Sequence, residues 1–164
     1  MSKITIHTDG AARGNPGPAG WGAIIQWKVE SEKLKAEEQE SKMIEIGGRA
    51  DHATNNIMEL TGPIEALKYL KNNDMTGEVE IVSDSKYVIL GITEWIGNWI
   101  KNGWRNAAKK PVLNRELWEA LHELNQEFKP KWTYVKGHAD NVYNERADVI
   151  ATSFADKEPI DLKK

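Results

Sequence analysis

The order of strand-like and helix-like segments constrains the fold of this chain more than any other feature. Five segments with alternating or short apolar patterns predict strands: 3–9, 21–29, 43–48, 78–84 and 131–135. Apolar residues at helical spacing predict four helices, one after the third strand, two after the fourth and one after the fifth. This order predicts an α/β fold whose five-stranded mixed sheet begins as an antiparallel meander and continues with parallel strands joined by flanking helices.

The first predicted helix contains two conflicting signals. Asn56 and Glu59 have the spacing of a capping box, which predicts a helix start there. Gly62-Pro63 follows, and Pro63 removes the backbone donor for the Glu59 carbonyl and crowds it. The sequence therefore predicts a helix that is kinked at Pro63. The next apolar stripe, over 88–99, has possible breaks at Gly91 and Gly97.

Length and composition limit the classes of protein to which this chain can belong. Its 164 residues, 40% hydrophobic and 29% charged, suit one globular domain, expected over 1–158 with a C-terminal tail at 159–164. No apolar run is long enough to span a membrane, and a strand pattern that starts at Lys3 leaves no room for a signal peptide. The lack of cysteine excludes disulfides and thiolate metal sites, which favours a cytoplasmic location.

Four acidic residues stand at segment boundaries or in polar surroundings: Asp9, Glu59, Asp84 and Asp148. Asp9 and Asp84 follow predicted strands, and ligand sites in open α/β sheets lie at the carboxyl ends of strands. If the first and fourth strands are neighbours, these two carboxylates lie side by side. Oxygen ligands without cysteine or a histidine cluster suit Mg²⁺ or Mn²⁺ rather than Zn²⁺. Four carboxylates could flank two such ions for in-line displacement at phosphorus.

Each of these acids also has an ordinary structural interpretation. Asp84 could be the N-cap of the helix that follows it, and Glu59 could be the third residue of a capping box with Asn56. Asp148 could be an acid on an exposed helix face, and Asp9 could be a turn residue. These interpretations do not explain why the two strand-end acids should meet.

His138 lies in a polar loop, residues 136–141, directly after a glycine. A lone histidine in such a loop is commonly a surface residue. A mobile imidazole next to a phosphodiester could also transfer protons at neutral pH. Both interpretations remain open at the level of spacing.

Residues 95–115, called the basic segment below, reverse the charge of the chain. Within a net charge of −3, this segment contains no acid and five basic side chains: Lys101, Arg105, Lys109, Lys110 and Arg115. Trp95, Trp99 and Trp104 lie between them. The overall negative charge gives no general attraction to nucleic acid, so we interpret this segment as a contact for a phosphate backbone. The alternative is a core stripe with a solvated face, and we expect Trp95 or Trp99 to be at least partly buried.

Residues 30–45 form an acidic insertion between the second and third predicted strands. They hold six Glu against three Lys. Such a composition predicts a solvated excursion, either disordered or the exposed tip of a hairpin. Its last residues overlap the third strand, which would return from that tip.

A set of short motifs runs in a recognisable order over nearly the whole chain. The motifs are Thr8-Asp9-Gly10, Gly14-Asn15-Pro16-Gly17, Thr54-Asn55-Asn56-x-Met58-Glu59-Leu60, Ser83-Asp84-Ser85-x-Tyr87, Ile92-Thr93-x-Trp95, Gly103-Trp104, Lys110-Pro111-Val112, Leu117-Trp118, Val135-Lys136-Gly137-His138 and Asn144-Glu145-Arg146-Ala147-Asp148. One such motif would carry little weight, but the ordered set is specific. In these motifs the chain closely resembles the type 1 ribonuclease H family.

This resemblance implies a metal-dependent endonuclease that hydrolyses the RNA strand of RNA/DNA hybrids and leaves 5'-phosphate and 3'-hydroxyl ends. It implies that the four acids hold two Mg²⁺ ions, for which Mn²⁺ could substitute. One ion would activate the attacking water and the other would stabilise the leaving 3'-oxygen. His138 would assist proton transfer and product departure. A monomer with the hybrid as its partner, and no membrane association, is expected.

The resemblance also implies contacts to the minor groove, where a 2'-hydroxyl distinguishes RNA from DNA. These contacts would come from Gly10, Asn15, Asn55 and Asn56. Lys86 stands where the family often has Gln, so a phosphate contact would replace a minor-groove contact there.

Contacts to the DNA strand are implied as well. Thr54 and Asn114 would bind a DNA-strand phosphate, although Asn114 could also simply cap the next helix. The family's basic handle, about residues 92–115, would grip the DNA strand with Trp95, Trp99, Lys101, Trp104, Arg105, Lys109 and Lys110.

Three other functions are compatible with parts of this pattern. A same-fold nuclease that cuts or joins DNA would share the acids, but the Asn55-Asn56 pair and the basic segment argue against it. A non-catalytic hybrid-binding module would share the basic segment, but four intact acids argue against that. A domain of a longer polymerase chain is the third alternative, against which a start at Met1 favours a free protein.

Overall fold

The computed structural model describes residues 2–29, 41–137 and 141–164. The strands are β1 Ser2–Ala12, β2 Gly17–Val29, β3 Ser41–Ala53, β4 Glu78–Ser83 and β5 Lys131–Tyr134. The helices are α1 Asn55–Asn72, α2 Lys86–Leu90, α3 Ile96–Lys101, α4 Arg115–Phe128 and α5 Val142–Ala155, and a π-helical turn, Gly91–Trp95, joins α2 to α3. None of the helices in these ranges is long and apolar enough to cross a membrane.

The strands form one five-stranded mixed sheet in the order β3-β2-β1-β4-β5. β1 pairs antiparallel with β2, and β2 pairs antiparallel with β3. β4 pairs parallel with both β1 and β5. The predicted mixed sheet is therefore confirmed, and the first and fourth strands are neighbours, which is the condition under which Asp9 and Asp84 were expected to meet.

The first three strands are longer than the apolar alternation predicts. The β1–β2 ladder continues past the acid to pair Ala12 with Ala19, and the β2–β3 ladder reaches Gly17 and Ala53. Small or polar residues carry most of these extensions and give little hydrophobic signal, although their backbone groups still form the ladders, with a register shift beside Pro18. Periodicity therefore gave the position of each strand but not its length.

The main hydrophobic core lies between one face of the sheet and helices α1 and α4. Ile4 and Ile6 of β1 are fully buried there with Leu60 and Leu67 of α1 and the indole of Trp118 from α4. Burial of each such aliphatic side chain stabilises the fold by roughly 1.5–3 kcal/mol. This core fixes α1 against β1, the two elements that each carry one of the predicted metal ligands.

The opposite face of the sheet carries α5, which lies very close to β2. Cβ atoms added at Gly20 and Gly22 would collide with backbone atoms of Ala151 and Ala147 in α5. Glycine at these two positions therefore lets the helix rest on the strand backbone. This close approach brings the helix that carries Asp148 next to β1.

Helix α1 begins at a different cap from the one predicted, and it continues through Pro63. The N-cap is Thr54, whose hydroxyl accepts a hydrogen bond from the Ile57 N–H at 3.1 Å. The predicted capping box between Asn56 and Glu59 is therefore wrong, because both residues already lie inside the helix. Pro63 does not end the helix, which reaches Asn72 with Pro63 buried against the core. Tertiary packing thus outweighs the local cost of proline.

The two glycines of the 88–99 stripe behave differently. Gly91 starts the π-helical turn with helical backbone angles, so the helix changes type there without being broken. Gly97 lies inside α3, so the predicted break there is wrong. A Cβ at Gly91 would collide with the buried ring of Trp118, but a Cβ at Gly97 has no described atom within 4 Å. Gly91 is therefore required by packing, and Gly97 is not.

Alanine at these two glycines should have opposite effects on stability. Gly91→Ala should lower the free energy of unfolding by about 1–3 kcal/mol, because it overpacks the core at Trp118. Gly97→Ala should raise it by roughly 0.5–1 kcal/mol, because alanine is the better helix former on an exposed face. Urea denaturation of both variants checks this, and equal shifts would contradict the packing assignment.

Part of the segment predicted as a solvated acidic insertion belongs to the sheet. Residues 30–40 lie outside the described residues, so the prediction has no outcome there. Glu45 lies in β3 and is buried, with its carboxylate 2.6 Å from Arg146 Nε. The C-terminal segment also reaches this point, because the Lys163 N–H donates to Glu45 Oε1 at 2.9 Å. A charge-rich stretch can therefore hold a single buried acid whose partners lie far away in sequence.

Candidate active site

The parallel pairing of β1 with β4 places two acids side by side. His7 pairs with Val82 in this ladder, and Asp9 and Asp84 each follow two residues later. Glu59 reaches the same place from α1. One carboxylate oxygen from each of Asp9, Glu59 and Asp84 lies within 4.8 Å of the other two.

Asp148 of α5 lines the same pocket. This acid pocket has a volume of about 300 Å³ and is lined by Asp9, Gly10, Asn55, Glu59, Asp84, Ser85 and Asp148. The structure thus brings all four predicted acids together from four different elements or their ends. Such convergence is not what four independent capping, turn and surface roles would produce.

The structure does not support the ordinary interpretations of Asp84, Asp9 and Asp148. Helix α2 is capped by Ser85, whose hydroxyl accepts from the Val88 N–H at 3.2 Å, so Asp84 is not its N-cap. Asp9 is 6% exposed, too buried for an ordinary turn residue. Asp148 is half-buried and lines the acid pocket, so it does not lie on a fully exposed helix face.

Gly10 allows β1 and α1 to meet at the acids. A Cβ at this position would lie 2.6 Å from both Glu59 N and Met58 C, so only glycine fits. The Gly10 N–H donates to Glu59 Oε1 at 2.7 Å and to Asp9 Oδ1 at 2.9 Å. One backbone donor therefore orients two of the carboxylates.

The pKa values of the buried acids show the cost of this concentration of charge. Burial raises the pKa of Asp9 to about 7, and the negative charges of Asp84 and Asp148 contribute to the rise. Burial also raises the pKa of Glu59 well above its ordinary value, with the charge of Asp9 as the next cause. A bound cation would offset both costs, because it favours the ionised carboxylates.

The atoms of the pocket suit a hard divalent cation. Glu59 Oε2 is buried and, within the part of the chain that the structure describes, has no hydrogen-bond donor. The nearby ligand atoms are carboxylate oxygens, which Mg²⁺ and Mn²⁺ prefer. The pocket therefore offers carboxylate oxygens as ligands for such an ion, and one of them, Glu59 Oε2, accepts no hydrogen bond from the described residues.

A second pocket, of about 410 Å³, lies between the N-terminus of α1 and the basic segment. Its lining residues are Asn15, Thr54, Asn56, Tyr87, Trp99, Asn106, Val112, Leu113 and Asn114. Thr54 and Asn114, predicted to share a phosphate, are thus brought together. Asn114 occupies the N-cap position of α4 but makes no side-chain cap, and its amide donates instead to the Tyr87 hydroxyl at 3.2 Å.

Asn55 and Asn56 connect the two pockets. Asn55 lines the acid pocket, and Asn56 lines the second pocket. The Asn55 N–H donates to Asn15 Oδ1 at 3.0 Å, which ties the 14–17 turn to the start of α1. Three of the four residues predicted for the minor groove therefore cluster at the N-terminus of this helix, and the fourth, Gly10, lines the acid pocket.

The basic segment is anchored to the core by its tryptophans. The ring of Trp99 lies 5.2 Å from that of buried Trp118, and the rings of Trp95 and Trp104 lie 6.0 and 6.5 Å from Trp99. Trp99 is half-buried, which confirms the expected partial burial, whereas Trp95 is 37% exposed. The row of tryptophan rings therefore attaches the basic segment, with its exposed cations, to the hydrophobic core.

The five cations of the basic segment are not equivalent. Arg115 lies over the Trp104 ring at 5.1 Å and forms an ion pair with Glu119 at 2.6 Å. This partner stands one helical turn beyond the end of the basic segment, so a charge count over 95–115 could not include it. The other four cations are exposed and make no ion pair within the described ranges: Lys101, Arg105, Lys109 and Lys110.

Two further residues lie close to Asp84 in sequence or in space. The Lys86 ammonium lies 5.3 Å from the ring centre of Tyr134, a partner that sequence reasoning missed because it ends a different strand. A Cβ at Gly137 would lie 3.1 Å from Asp84 Oδ2, so Gly137 lies next to this acid. His138 itself lies outside the described residues, and its role stays a prediction.

Comparisons with known proteins identify the family of this chain. Residues 1–156 match the sequence profile of the RNase H family. The ribonuclease H of Maricaulis maris is 48% identical over 151 residues, which cover 92% of this chain and 92% of that protein.

Solved structures agree with this match. LC9-RNase H1, described as a type 1 RNase H with the type 2 active-site motif, has a TM-score of 0.78 at 23% identity over 95% of this chain and 73% of its own, which supports the fold alone. LC11-RNase H1, solved in complex with an RNA/DNA hybrid, has a TM-score of 0.59 at 29% identity and covers 94% of this chain and 97% of its own. The chain belongs to the ribonuclease H family and is a nuclease.

Proposed function

We propose that this protein is an endonuclease that hydrolyses the RNA strand of RNA/DNA hybrids with divalent metal ions and leaves 5'-phosphate and 3'-hydroxyl ends. The observation that carries the proposal is the convergence of carboxylate oxygens from Asp9, Glu59 and Asp84 within 4.8 Å, with Asp148 lining the same pocket. The hybrid complex of LC11-RNase H1, a relative of similar length, supports the choice of substrate.

The metal ligands would be Asp9, Glu59, Asp84 and Asp148, and the ions two Mg²⁺, with Mn²⁺ as a substitute. When bound, such a pair supplies an activated water and stabilisation of the leaving 3'-oxygen. The chain itself holds the ligands in place through the Gly10 N–H, which donates to both Asp9 and Glu59. His138, which follows Gly137 in the sequence, would take part in proton transfer.

The two pockets would hold the two strands of the hybrid. The RNA strand would lie at the acid pocket and the DNA strand at the second pocket, with the minor groove across Asn55 and Asn56. Thr54 can donate its hydroxyl hydrogen to a phosphate while it accepts from Ile57. Asn114 has a second amide hydrogen beside the one donated to Tyr87. Both residues can therefore bind a phosphate without losing their structural contacts.

The surroundings of this site would complete the grip. Gly10 and Asn15 would contact the minor groove, and Lys86, beside Asp84, would contact a phosphate. The basic segment would hold the DNA strand through Trp95, Trp99, Lys101, Trp104, Arg105, Lys109 and Lys110. One copy of the chain supplies every residue of this proposed site, so the proposed function requires no second copy, and we propose a monomer.

A cleavage assay on RNA/DNA hybrid, duplex RNA and duplex DNA, each with and without Mg²⁺, tests the proposal. We expect Mg²⁺-dependent cutting of the hybrid's RNA strand alone, and loss of cutting with Asp84→Asn. Preferred cutting of duplex DNA would identify a DNA nuclease of the same fold. Tight hybrid binding without turnover in Mg²⁺ or Mn²⁺ would identify a non-catalytic binding module.

Neutralising the basic segment should weaken hybrid binding and make it less sensitive to salt. Each lost phosphate contact should reduce the slope of log affinity against log salt by about 0.7–0.9. The variant replaces four exposed cations with alanine: Lys101, Arg105, Lys109 and Lys110. Affinity measured from about 50 to 300 mM salt checks this, because the Debye length falls from roughly 14 to 6 Å over that range.

A control variant with the same change of charge replaces four lysines with alanine at the end of the sheet opposite the acids: Lys3, Lys28, Lys129 and Lys131. These side chains line two pockets at the amino ends of the parallel strands, away from the acids. Their replacement should leave the salt slope nearly unchanged. Equal slopes for the two quadruple variants would mean that the basic segment does not contact the hybrid.

A further inference from the structure

Strand β1 and helix α5 meet at two successive levels. At the first level, His7 Nδ1 donates to Asn144 Oδ1 over 2.8 Å, and both side chains are buried. At the second level, Asp9 and Asp148 line the same acid pocket. Two residues along a strand advance about 6.6 Å, and four residues along a helix advance about 6 Å. The two pairs are therefore consecutive contacts between one strand face and one helix face.

The packing of α5 on the glycines of the sheet involves the helix from Ala147 onward. The backbone of this part takes the space that side chains would occupy at Gly20 and Gly22, and the side chains of Ile150 and Phe154 fill the space above the same glycines. The helix atoms nearest to these glycines all come from residues 147–155. The first turn of α5, which precedes Asp148, is therefore held to the sheet by other contacts.

Two of the other anchors of α5 lie away from the face that carries Asp148. Arg146 binds Glu45 on β3 at 2.6 Å, and Arg49 donates to the Phe154 carbonyl at 2.9 Å at the helix's C-terminal end. Both use long, flexible arginine side chains, which can follow a small shift of the helix. The bond between His7 and Asn144 is short and buried, and the His7 ring also packs against Tyr143 with centroids 5.1 Å apart.

We propose that the hydrogen bond between His7 and Asn144 holds the N-terminal part of α5 against β1 and thereby places the Asp148 carboxylate beside Asp9. His7 is then a positioning residue, because neither it nor Asn144 lines the acid pocket. This inference rests on the proposed function, in which Asp148 is a metal ligand. It assigns a role to a histidine that no sequence motif of the chain includes.

His7→Phe and His7→Asn test the proposal as a pair. Phenylalanine keeps an aromatic ring but has no donor, whereas asparagine keeps an N–H close to the place of Nδ1. For His7→Phe we expect about a 10-fold fall in kcat and about a 10-fold rise in the Mg²⁺ concentration at half-maximal effect, as is usual when the support of a metal ligand is lost. KM for the hybrid should not change. His7→Asn should restore both values to near wild type.

The Mg²⁺ requirement should be measured in two ways, from cleavage and from the rise in melting temperature. Arg49→Met is the matched control, because it frees the far end of α5 without touching the His7 level. It should lower the melting temperature but leave the Mg²⁺ midpoint unchanged. Asn144→Ala removes the hydrogen-bond acceptor and should cause the same fall in kcat and the same rise in the Mg²⁺ midpoint as His7→Phe. It replaces His7→Phe as the test if that variant does not fold.

A second comparison uses the Asp148→Asn background, in which His7→Phe should cause no further loss of cleavage. The proposal is overturned if His7→Phe keeps the wild-type Mg²⁺ midpoint, or if its effect persists undiminished in Asp148→Asn. Failure of the wild-type protein to cleave hybrid in Mg²⁺ would instead overturn the proposed function, so the two failures are distinguishable.

Discussion

Asp9→Asn is expected to abolish cleavage of the hybrid while hybrid affinity stays close to that of the wild type. The substitution keeps the shape of the side chain but removes a negative oxygen from the centre of the acid pocket, where Asp9 lies within reach of Glu59 and Asp84. Loss of one such electrostatic group lowers kcat on the order of 10³-fold. The grip on the hybrid should persist, because the basic segment and the second pocket are untouched. Single-turnover cleavage and equilibrium binding, measured on the same samples, separate the two effects.

Asp51→Asn is the matched control, since it makes the same chemical change on an exposed residue of β3 that pairs with Arg49 at the surface. It should leave cleavage unchanged, because exposed ion pairs contribute about 0–1 kcal/mol and this one lies outside both pockets. Turnover of Asp9→Asn near that of Asp51→Asn would exclude Asp9 as a metal ligand.

The sequence predicted part of the central geometry of the site. Hydrophobic patterns place Asp9 and Asp84 at the ends of two strands, but that β1 and β4 are parallel neighbours, as the meeting of these acids requires, is known only from the structure. The convergence of Glu59 and Asp148 was implied by resemblance rather than by spacing. Their placement depends on how two helices pack on opposite faces of the sheet, which periodicity alone does not specify.

The contacts that sequence reasoning missed are polar pairs between distant segments. His7 and Asn144 are 137 residues apart, and Glu45 and Arg146 are 101 residues apart. A polar residue in an apolar segment shows that a partner is needed but not which one it is, because the partner depends on the register of α5. The start of α1 was also predicted wrongly, because several neighbouring polar residues can act as an N-cap, and Thr54 rather than Asn56 is the N-cap in the structure.

Stability of the metal-free protein should depend on pH through Asp9, whose pKa is about 7 in the fold against an ordinary value of 3.8. Between these values the unfolded chain has released this proton and the folded chain still holds it. The free energy of unfolding therefore falls as pH rises through this window, by at most about 4 kcal/mol from this group. His7 acts in the opposite sense below its ordinary value of 6.5, because burial lowers its pKa. The difference between wild type and Asp9→Asn at each pH cancels the His7 contribution and leaves that of Asp9 together with its effect on Glu59, whose pKa the charge of Asp9 raises.

Mg²⁺ should reverse this loss, and the reversal should be larger at pH 8 than at pH 5. At pH 8, above its pKa of about 7, Asp9 is ionised and can bind the cation, whereas at pH 5 binding must first displace the proton that Asp9 retains. A ligand at 100 times its dissociation constant adds about 2.7 kcal/mol to the stability of the folded state. The measurement is the melting temperature at both pH values with Mg²⁺ or with NaCl of equal ionic strength, for wild type and Asp9→Asn. A rise of the same size with NaCl, or in Asp9→Asn, would show that Mg²⁺ acts by general screening, because a shared site needs both the specific cation and the carboxylate of Asp9.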